Sequence, residues 1–168
     1  MNESQNIQSM PDYSALTGIL AFQSVNENLA TSGQPNFEEF GLIAEAGFKV
    51  VINLALTDAS NVLVGEDRRV LELGMDYINV PLLFNCPTLP QALRVLDLLK
   101  SLQGQKVWLH CAKNMRVSSL IYIYRVYHLM MNETEAKALL EQIWTPNAEW
   151  SSIIKLLEQH YLGQLQTD

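Results

Sequence analysis

The sequence has few cysteines and few basic residues, and each shortage argues against a class of protein. Two cysteines among 168 residues, Cys86 and Cys111, are too few for a disulfide framework. A reducing compartment and at least one working thiol are the simpler expectation. The 11 basic residues are outnumbered by 18 acidic ones, which argues against a non-specific nucleic-acid binder. Any anionic ligand must therefore be held by a local site.

Long apolar runs are also missing. No run approaches the ~18 residues of a membrane-spanning helix. Residues 1–11 lack the basic start and apolar stretch of an export signal, although a signal removed earlier would leave no trace. We therefore expect a cytoplasmic protein without membrane or nucleic-acid partners, and predict no particular oligomeric state. With 48% hydrophobic residues, the chain has enough apolar side chains for one hydrophobic core. We therefore predict a single domain over residues 25–168, preceded by a loose leader over residues 1–24.

Apolar runs alternate with helical patterns along the chain. Residues 48–54 form a continuous run rich in Val and Ile, which is typical of a buried parallel strand. Further strands are predicted at 75–81 and 107–109, and helices at 36–46, 66–74, 88–103, 116–130, 133–143 and 147–162. This order predicts an α/β fold with a mostly parallel, four- or five-stranded central sheet flanked by helices. Ligands bind at the carboxyl ends of such strands, where residues 55–65, 82–87 and 111–116 should meet.

The segment from His110 to Arg116 carries the chemistry. A strand that ends at a cysteine, turns, and restarts as a helix at an arginine is typical of a phosphate-binding nucleophile loop. Cys111 would be the nucleophile, favoured as thiolate, and Arg116 would grip two phosphate oxygens. The substrate-binding candidates are His110, Ala112, Lys113, Asn114, Met115 and Ser118. The alternative for Cys111 is a buried thiol that packs as a small apolar side chain.

Three stretches give the chain a resemblance to a known family. They are Ser32-Gly33-Gln34-Pro35, the lead Ala46-Gly47-Phe48-Lys49 into Val51-Ile52-Asn53-Leu54, and the loop with four residues between Cys111 and Arg116. Over about residues 25–160 the chain resembles the bacterial dual-specificity-phosphatase-like proteins, which include the phosphatase-like domain fused to beta-lactamase-type hydrolases. The resemblance implies a cysteine-phosphatase-like fold and phosphate-monoester hydrolysis through a thiophosphate, without metal or cofactor. It also implies that His110 tunes the Cys111 thiol.

Two positions depart from that family. Asn114 stands where relatives carry Gly, which is tolerable because Asn also accepts a positive φ. The usual general-acid Asp is missing, because residues 82–87 contain no carboxylate. Asp58, Glu66 or Asp67 could substitute, with Asp58 the candidate, but such residues are commonly solvated or helix-capping groups. A missing acid costs on the order of 10²–10⁴ in rate for alkyl leaving groups.

The leading hypothesis is a weak enzyme, a protein tyrosine/dual-specificity-type phosphatase acting on a phosphorylated substrate. A phosphate-binding regulatory pseudophosphatase is the alternative, since the acid position is empty. A rhodanese-like sulfurtransferase is a third possibility, because that group also uses a four-residue spacing. Cys86 lies in the segment where the acid is expected; a reversible disulfide with Cys111 is conceivable, although a packed thiol is the preferred interpretation.

Overall fold

A five-stranded sheet forms the centre of the molecule. The computed structural model describes residues 12–165. The strands, in the spatial order β1-β2-β5-β3-β4, are β1 (Gln23–Asn26), β2 (Leu29–Ser32), β3 (Val50–Asn53), β4 (Asp76–Asn79) and β5 (Val107–His110). All neighbouring pairs are parallel except the antiparallel β1–β2 hairpin. The predicted α/β fold is confirmed, and β5 is the central strand.

Helices cover both faces of this sheet. They are a 3₁₀ turn (Ser14–Leu16), α1 (Phe37–Glu45), α2 (Glu66–Glu72), α3 (Leu89–Ser101), α4 (Met115–Tyr127), α5 (Glu133–Glu141) and α6 (Ala148–Leu165). Along β5, Val107 and Leu109 pack against the apolar residues of α3 to α6. Trp108, between them, packs with the 3₁₀ turn, α1 and α2. Successive residues of a strand point to opposite faces, so a continuous apolar run builds two cores.

Several boundaries differ from the prediction. The strand β1 was missed because its sequence Gln-Ser-Val-Asn is mostly polar, as an edge strand allows. Helix α4 ends at Tyr127 rather than near residue 130, where Met130 has a positive φ of 55°. Helix α6 runs to Leu165, three residues beyond its predicted end.

The predicted leader is only partly described. Its residues 1–11 lie outside the described residues, whereas Tyr13, Leu16 and Ile19 are buried against the sheet. The division at residues 24 and 25 stays a prediction. Between residues 12 and 165, no helix is both long enough and apolar enough to cross a bilayer.

Candidate active site

Cys111 lies at the carboxyl end of the central strand, directly after β5. Its residue surface is only 1% exposed. It lines a cavity of about 220 Å³ together with Phe84, Ala112, Lys113, Met115 and Arg116. The structure thus brings together the two predicted catalytic residues of the Cys111 loop (residues 111–116) and three of its predicted substrate-binding residues.

Arg116 is held rigidly at the first turn of α4. Its Nη1 donates to the carbonyl oxygens of Leu54 (3.2 Å) and Leu82 (2.7 Å), which follow β3 and β4. Its Nε is buried and has no hydrogen-bond partner. A buried N–H donor without an acceptor is costly, and a guanidinium offers several donors in one plane. Arg116 is therefore anchored on one side and has at least one donor free for an anion.

The carbonyl of Ala112 is turned outward. It accepts hydrogen bonds from the backbone N–H of Gln34 (3.1 Å) and from Nδ2 of Asn61 (2.8 Å). Since the C=O and N–H of a trans peptide point in opposite directions, the N–H of Lys113 is turned away from these two residues. This is the peptide orientation of an anion-binding loop.

Asn114 shapes the loop from beneath. Its φ is 61°, the positive value that the sequence predicts, and it precedes the first residue of α4. The Nδ2 group donates to the carbonyl of Ala21 (2.7 Å) and to Oγ1 of Thr31 (3.2 Å). The buried side chain thus ties the loop to the hairpin β1–β2 and is not part of the cavity lining. It shapes the backbone that would hold an anion.

The hydroxyl of Ser118 makes a local hydrogen bond within α4. Its hydroxyl donates to the carbonyl of Met115 at 3.2 Å, and the hydroxyl of Ser119 donates to the same oxygen at 3.0 Å. Ser118 is 1% exposed. Ser118 is therefore a buried residue of the first turn of α4 and is not part of the cavity lining.

His110 and Glu66 form a buried pair under the Cys111 loop. Nε2 of His110 lies 2.7 Å from Oε1 of Glu66, and both side chains are almost fully buried. Glu66 also accepts from Nδ2 of Asn53 (3.2 Å) and from Nε2 of Gln34 (2.7 Å). The expectation that Glu66 is a solvated or capping group is wrong, because its carboxylate turns inward from the start of α2. Sequence reasoning missed this contact, because its partners lie 32 and 44 residues away from Glu66 in the chain and no local pattern indicates it.

The pKa of Tyr77 is raised by its position beside this buried network. Burial, followed by the negative charge of Glu66, raises the pKa of Tyr77 to about 12. Tyr77 is therefore a neutral hydroxyl at physiological pH, and it accepts a hydrogen bond from Nδ2 of Asn53 at 3.3 Å. Glu66 thus also contributes to the raised pKa of Tyr77.

The 82–87 loop contributes an aromatic wall to the cavity. Phe84 packs against Trp144 and Trp150, with ring centroids 5.6 and 6.2 Å apart, and its ring lies 6.0 Å from the guanidinium carbon of Arg116. Nε1 of Trp150 donates to the carbonyl of Phe84 at 2.9 Å. The loop is thus fixed against α6. Cys86 is free and exposed, so the expected packed thiol is wrong.

Carboxylates are missing from the lining of this cavity. Asp58 lies exposed on the 55–65 loop, which Asn61 ties to Ala112. The structure thus places Asp58 on a loop that contacts the Cys111 loop, but outside the cavity lining. Among residues 12–165, no group of His, Cys, Asp and Glu side chains could hold a metal ion.

Comparison with known proteins identifies the fold. No protein-family model matches the sequence, and no curated protein sequence matches it. Among solved structures, the chain is similar to a phosphatase candidate of the DUF442 group from Shewanella putrefaciens CN-32. The two chains are 26% identical, with a TM-score of 0.79 over 88% of this chain and 97% of that one.

More distant structures share the same architecture. Tk-PTP in its active form is 19% identical, with a TM-score of 0.69 over 83% of this chain and 97% of that one. TpbA from P. aeruginosa is 15% identical, with a TM-score of 0.69 over 86% of this chain and 90% of that one. At these identities the likeness concerns the fold alone. The resemblance stated from the sequence is confirmed: the chain has the fold of the cysteine-dependent, dual-specificity-like phosphatases.

Proposed function

We propose that the protein is a cysteine-dependent phosphatase of the protein tyrosine/dual-specificity type, which hydrolyses phosphate monoesters. The observation that carries this proposal is the cavity at the carboxyl end of β5. Cys111 and Arg116 line it together, and Arg116 keeps a buried Nε donor without a protein partner. A phosphate there would meet a nucleophile and a fixed cation at once. The phosphatase-like neighbours support the same reaction class.

The reaction has two steps in which Cys111 is first nucleophile and then leaving group. In the first step the thiolate attacks phosphorus, the S–P bond forms, and the P–O bond to the leaving oxygen breaks. In the second step water attacks phosphorus, the S–P bond breaks, and inorganic phosphate and the thiolate are released. Arg116 and the loop amides hold the non-bridging oxygens in both steps. The mechanism assigns no step to a metal or cofactor.

The cavity supplies no evident acid to protonate the leaving oxygen. An alkoxide must receive a proton as it departs, and the cavity lining contains no carboxylate. Asp58 is the donor that the sequence suggests, and its loop contacts the Cys111 loop through Asn61, but it lies outside the cavity lining, so we infer that no donor is in place. Without a donor, turnover of alkyl phosphates is slow, whereas aryl phosphates, whose oxide leaves unaided, are hydrolysed more readily. We retain a cytoplasmic setting and a phosphorylated substrate as parts of the proposal.

A comparison of cysteine variants tests the proposal. Cys111→Ser should lower hydrolysis of p-nitrophenyl phosphate by at least ~10³, while the matched Cys86→Ser, which alters the exposed thiol, should leave it unchanged. Mass spectrometry of acid-quenched Cys86→Ser should detect one phosphoryl group on Cys111.

Two further measurements separate the alternatives. Turnover of thiosulfate that depends on Cys111 and exceeds phosphatase turnover would identify a sulfurtransferase and overturn the proposal. If wild type and Cys111→Ser hydrolyse the aryl phosphate equally poorly while inorganic phosphate still raises the Tm of both, the protein is a phosphate-binding module and the proposal is wrong.

A further inference from the structure

We infer that Glu66 is a positioning residue for the Cys111 loop, acting through His110 and Gln34. This inference rests on the proposed function, since it assigns a role at the same site. Glu66 is the first residue of α2 and is 4% exposed, although acidic residues are rarely buried unless paired. Its carboxylate accepts hydrogen bonds from Nδ2 of Asn53 and Nε2 of Gln34, and it lies 2.7 Å from Nε2 of His110. A carboxylate held by three polar contacts has a fixed position in the fold.

Two of these donors flank the Cys111 loop. His110 immediately precedes Cys111, and its own carbonyl accepts from the N–H of Leu54 at 2.9 Å. Gln34 uses its side chain to reach Glu66 and its backbone N–H to hold the carbonyl of Ala112, the residue that follows Cys111. Glu66 therefore contacts residues that hold the chain on both sides of the nucleophile. We call the three residues Gln34, Glu66 and His110 the brace.

The contact with Glu66 also fixes the orientation of the His110 ring, because Nε2 is held 2.7 Å from the carboxylate. Nδ1 of His110 is buried without a partner. Loss of the Glu66 carboxylate would release this constraint on the ring next to Cys111.

The outward carbonyl of Ala112 explains how the brace affects anion binding. If Gln34 lost its partner, its backbone would hold that carbonyl less firmly, and a carbonyl oxygen rotated toward the cavity would repel a phosphate. A merely structural carboxylate would change stability without changing the affinity for phosphate or the reactivity of the thiol. These two readouts therefore distinguish positioning from folding.

The test compares Glu66→Gln with Glu72→Gln, an identical substitution at an exposed position of the same helix. Both are made in Cys86→Ser, so that alkylation reports on Cys111 alone. We expect Glu66→Gln to weaken inorganic-phosphate binding by at least ~10-fold in calorimetry and to shift the pH profile of Cys111 alkylation by iodoacetate. Glu72→Gln should change neither. Unaltered phosphate affinity and an unaltered alkylation profile in a folded Glu66→Gln would overturn the inference.

A second variant keeps the test decisive if Glu66→Gln does not fold. Gln34→Met removes the side-chain hydrogen bonds to Glu66 and to the carbonyl of Pro35 but keeps the backbone N–H that contacts Ala112. It should weaken phosphate binding in the same direction; wild-type affinity would overturn the inference. Where Glu66→Gln folds, the double variant Glu66→Gln/Gln34→Met should lose less phosphate affinity than the sum of the two single losses, and strict additivity would contradict a shared role of the two residues. Phosphate binding and alkylation do not require turnover, so these results stand even if the phosphatase proposal fails.

Discussion

Gly33 lies where two segments come too close for a side chain. It forms a bridge with Lys113 of the Cys111 loop, and its N–H donates to the carbonyl of Leu20 at 2.7 Å. A Cβ at this position would lie 2.7 Å from Cδ2 of Leu20 and 3.0 Å from the carbonyl oxygen of Ala112. The side chain of Leu20 can move, but the Ala112 carbonyl is held by Gln34 and Asn61. The glycine is required by the close approach of the loop.

Gly33→Ala should therefore disturb the loop as well as the fold. We expect a loss of about 1–3 kcal/mol in the free energy of unfolding, as overpacking typically costs, and a several-fold weaker affinity for inorganic phosphate. Gly18→Ala is the matched control, because no atom lies within 4 Å of a Cβ there. Denaturant unfolding and calorimetry measure the two effects. Phosphate affinity equal to that of wild type in Gly33→Ala would show that the contact does not shape the anion site.

The 82–87 loop shows how one element can change the chemistry of a site that is otherwise intact. It stands beside Arg116, yet it presents Phe84 to the cavity and is fixed by the indole N–H of Trp150. Leu83, its neighbour, is 52% exposed. The loop therefore supplies an apolar wall and no carboxylate, whereas Cys111 and Arg116 both line the cavity.

Because the 82–87 loop carries no carboxylate, we predict a strong preference for aryl over alkyl phosphates. We expect wild type to favour p-nitrophenyl phosphate over an alkyl phosphate in kcat/KM by on the order of 10²–10⁴, the typical contribution of a general acid. Asp58→Asn should leave that ratio unchanged. Selective loss of alkyl phosphate turnover in Asp58→Asn would instead identify Asp58 as the donor.

A carboxylate restored to the loop provides the converse experiment. Leu83→Asp should narrow the preference for aryl phosphates, and Leu83→Asn, equal in shape but uncharged, should not. Because Leu83 is exposed, both substitutions should change the free energy of unfolding only slightly. Equal ratios for the two variants would show that position 83 does not reach the leaving oxygen.

His128 lies where α3, α4 and α6 pack together, and its protonation is expected to make the stability of this packing depend on pH. It follows the last residue of α4, and its Nε2 lies 3.1 Å from the hydroxyl of Tyr161 in α6. Burial, and then the positive charge of Lys100 in α3, hold the pKa of His128 below its usual 6.5, with Asp97 opposing the shift. The folded state thus favours the neutral ring that packs beside Tyr124 and Tyr161.

The pH dependence of stability follows from the sign of this shift. The unfolded chain binds a proton at His128 more readily than the folded one, so stability is complete above about pH 6.5 and falls as pH drops through the lowered pKa. His128→Gln should flatten this decline in the free energy of unfolding between pH 7.5 and about 5, measured with denaturant. Parallel curves for wild type and variant would show that His128 does not contribute.

Local patterns along the chain were enough to predict the α/β class, the central strand, the Cys111 loop and the positive φ of Asn114. Each of these depends on neighbouring residues: a continuous apolar run, a turn between a strand and a helix, and a side chain that tolerates a left-handed backbone. The polar edge strand β1 and the inward turn of Glu66 were not predictable in this way. Only the tertiary structure brings Glu66 to His110, 44 residues away in the chain, and to Gln34, 32 residues away. A carboxylate at the start of a helix has the same local sequence signal whether it faces water or a buried imidazole, because its partners are selected by the packing of α2 against the sheet.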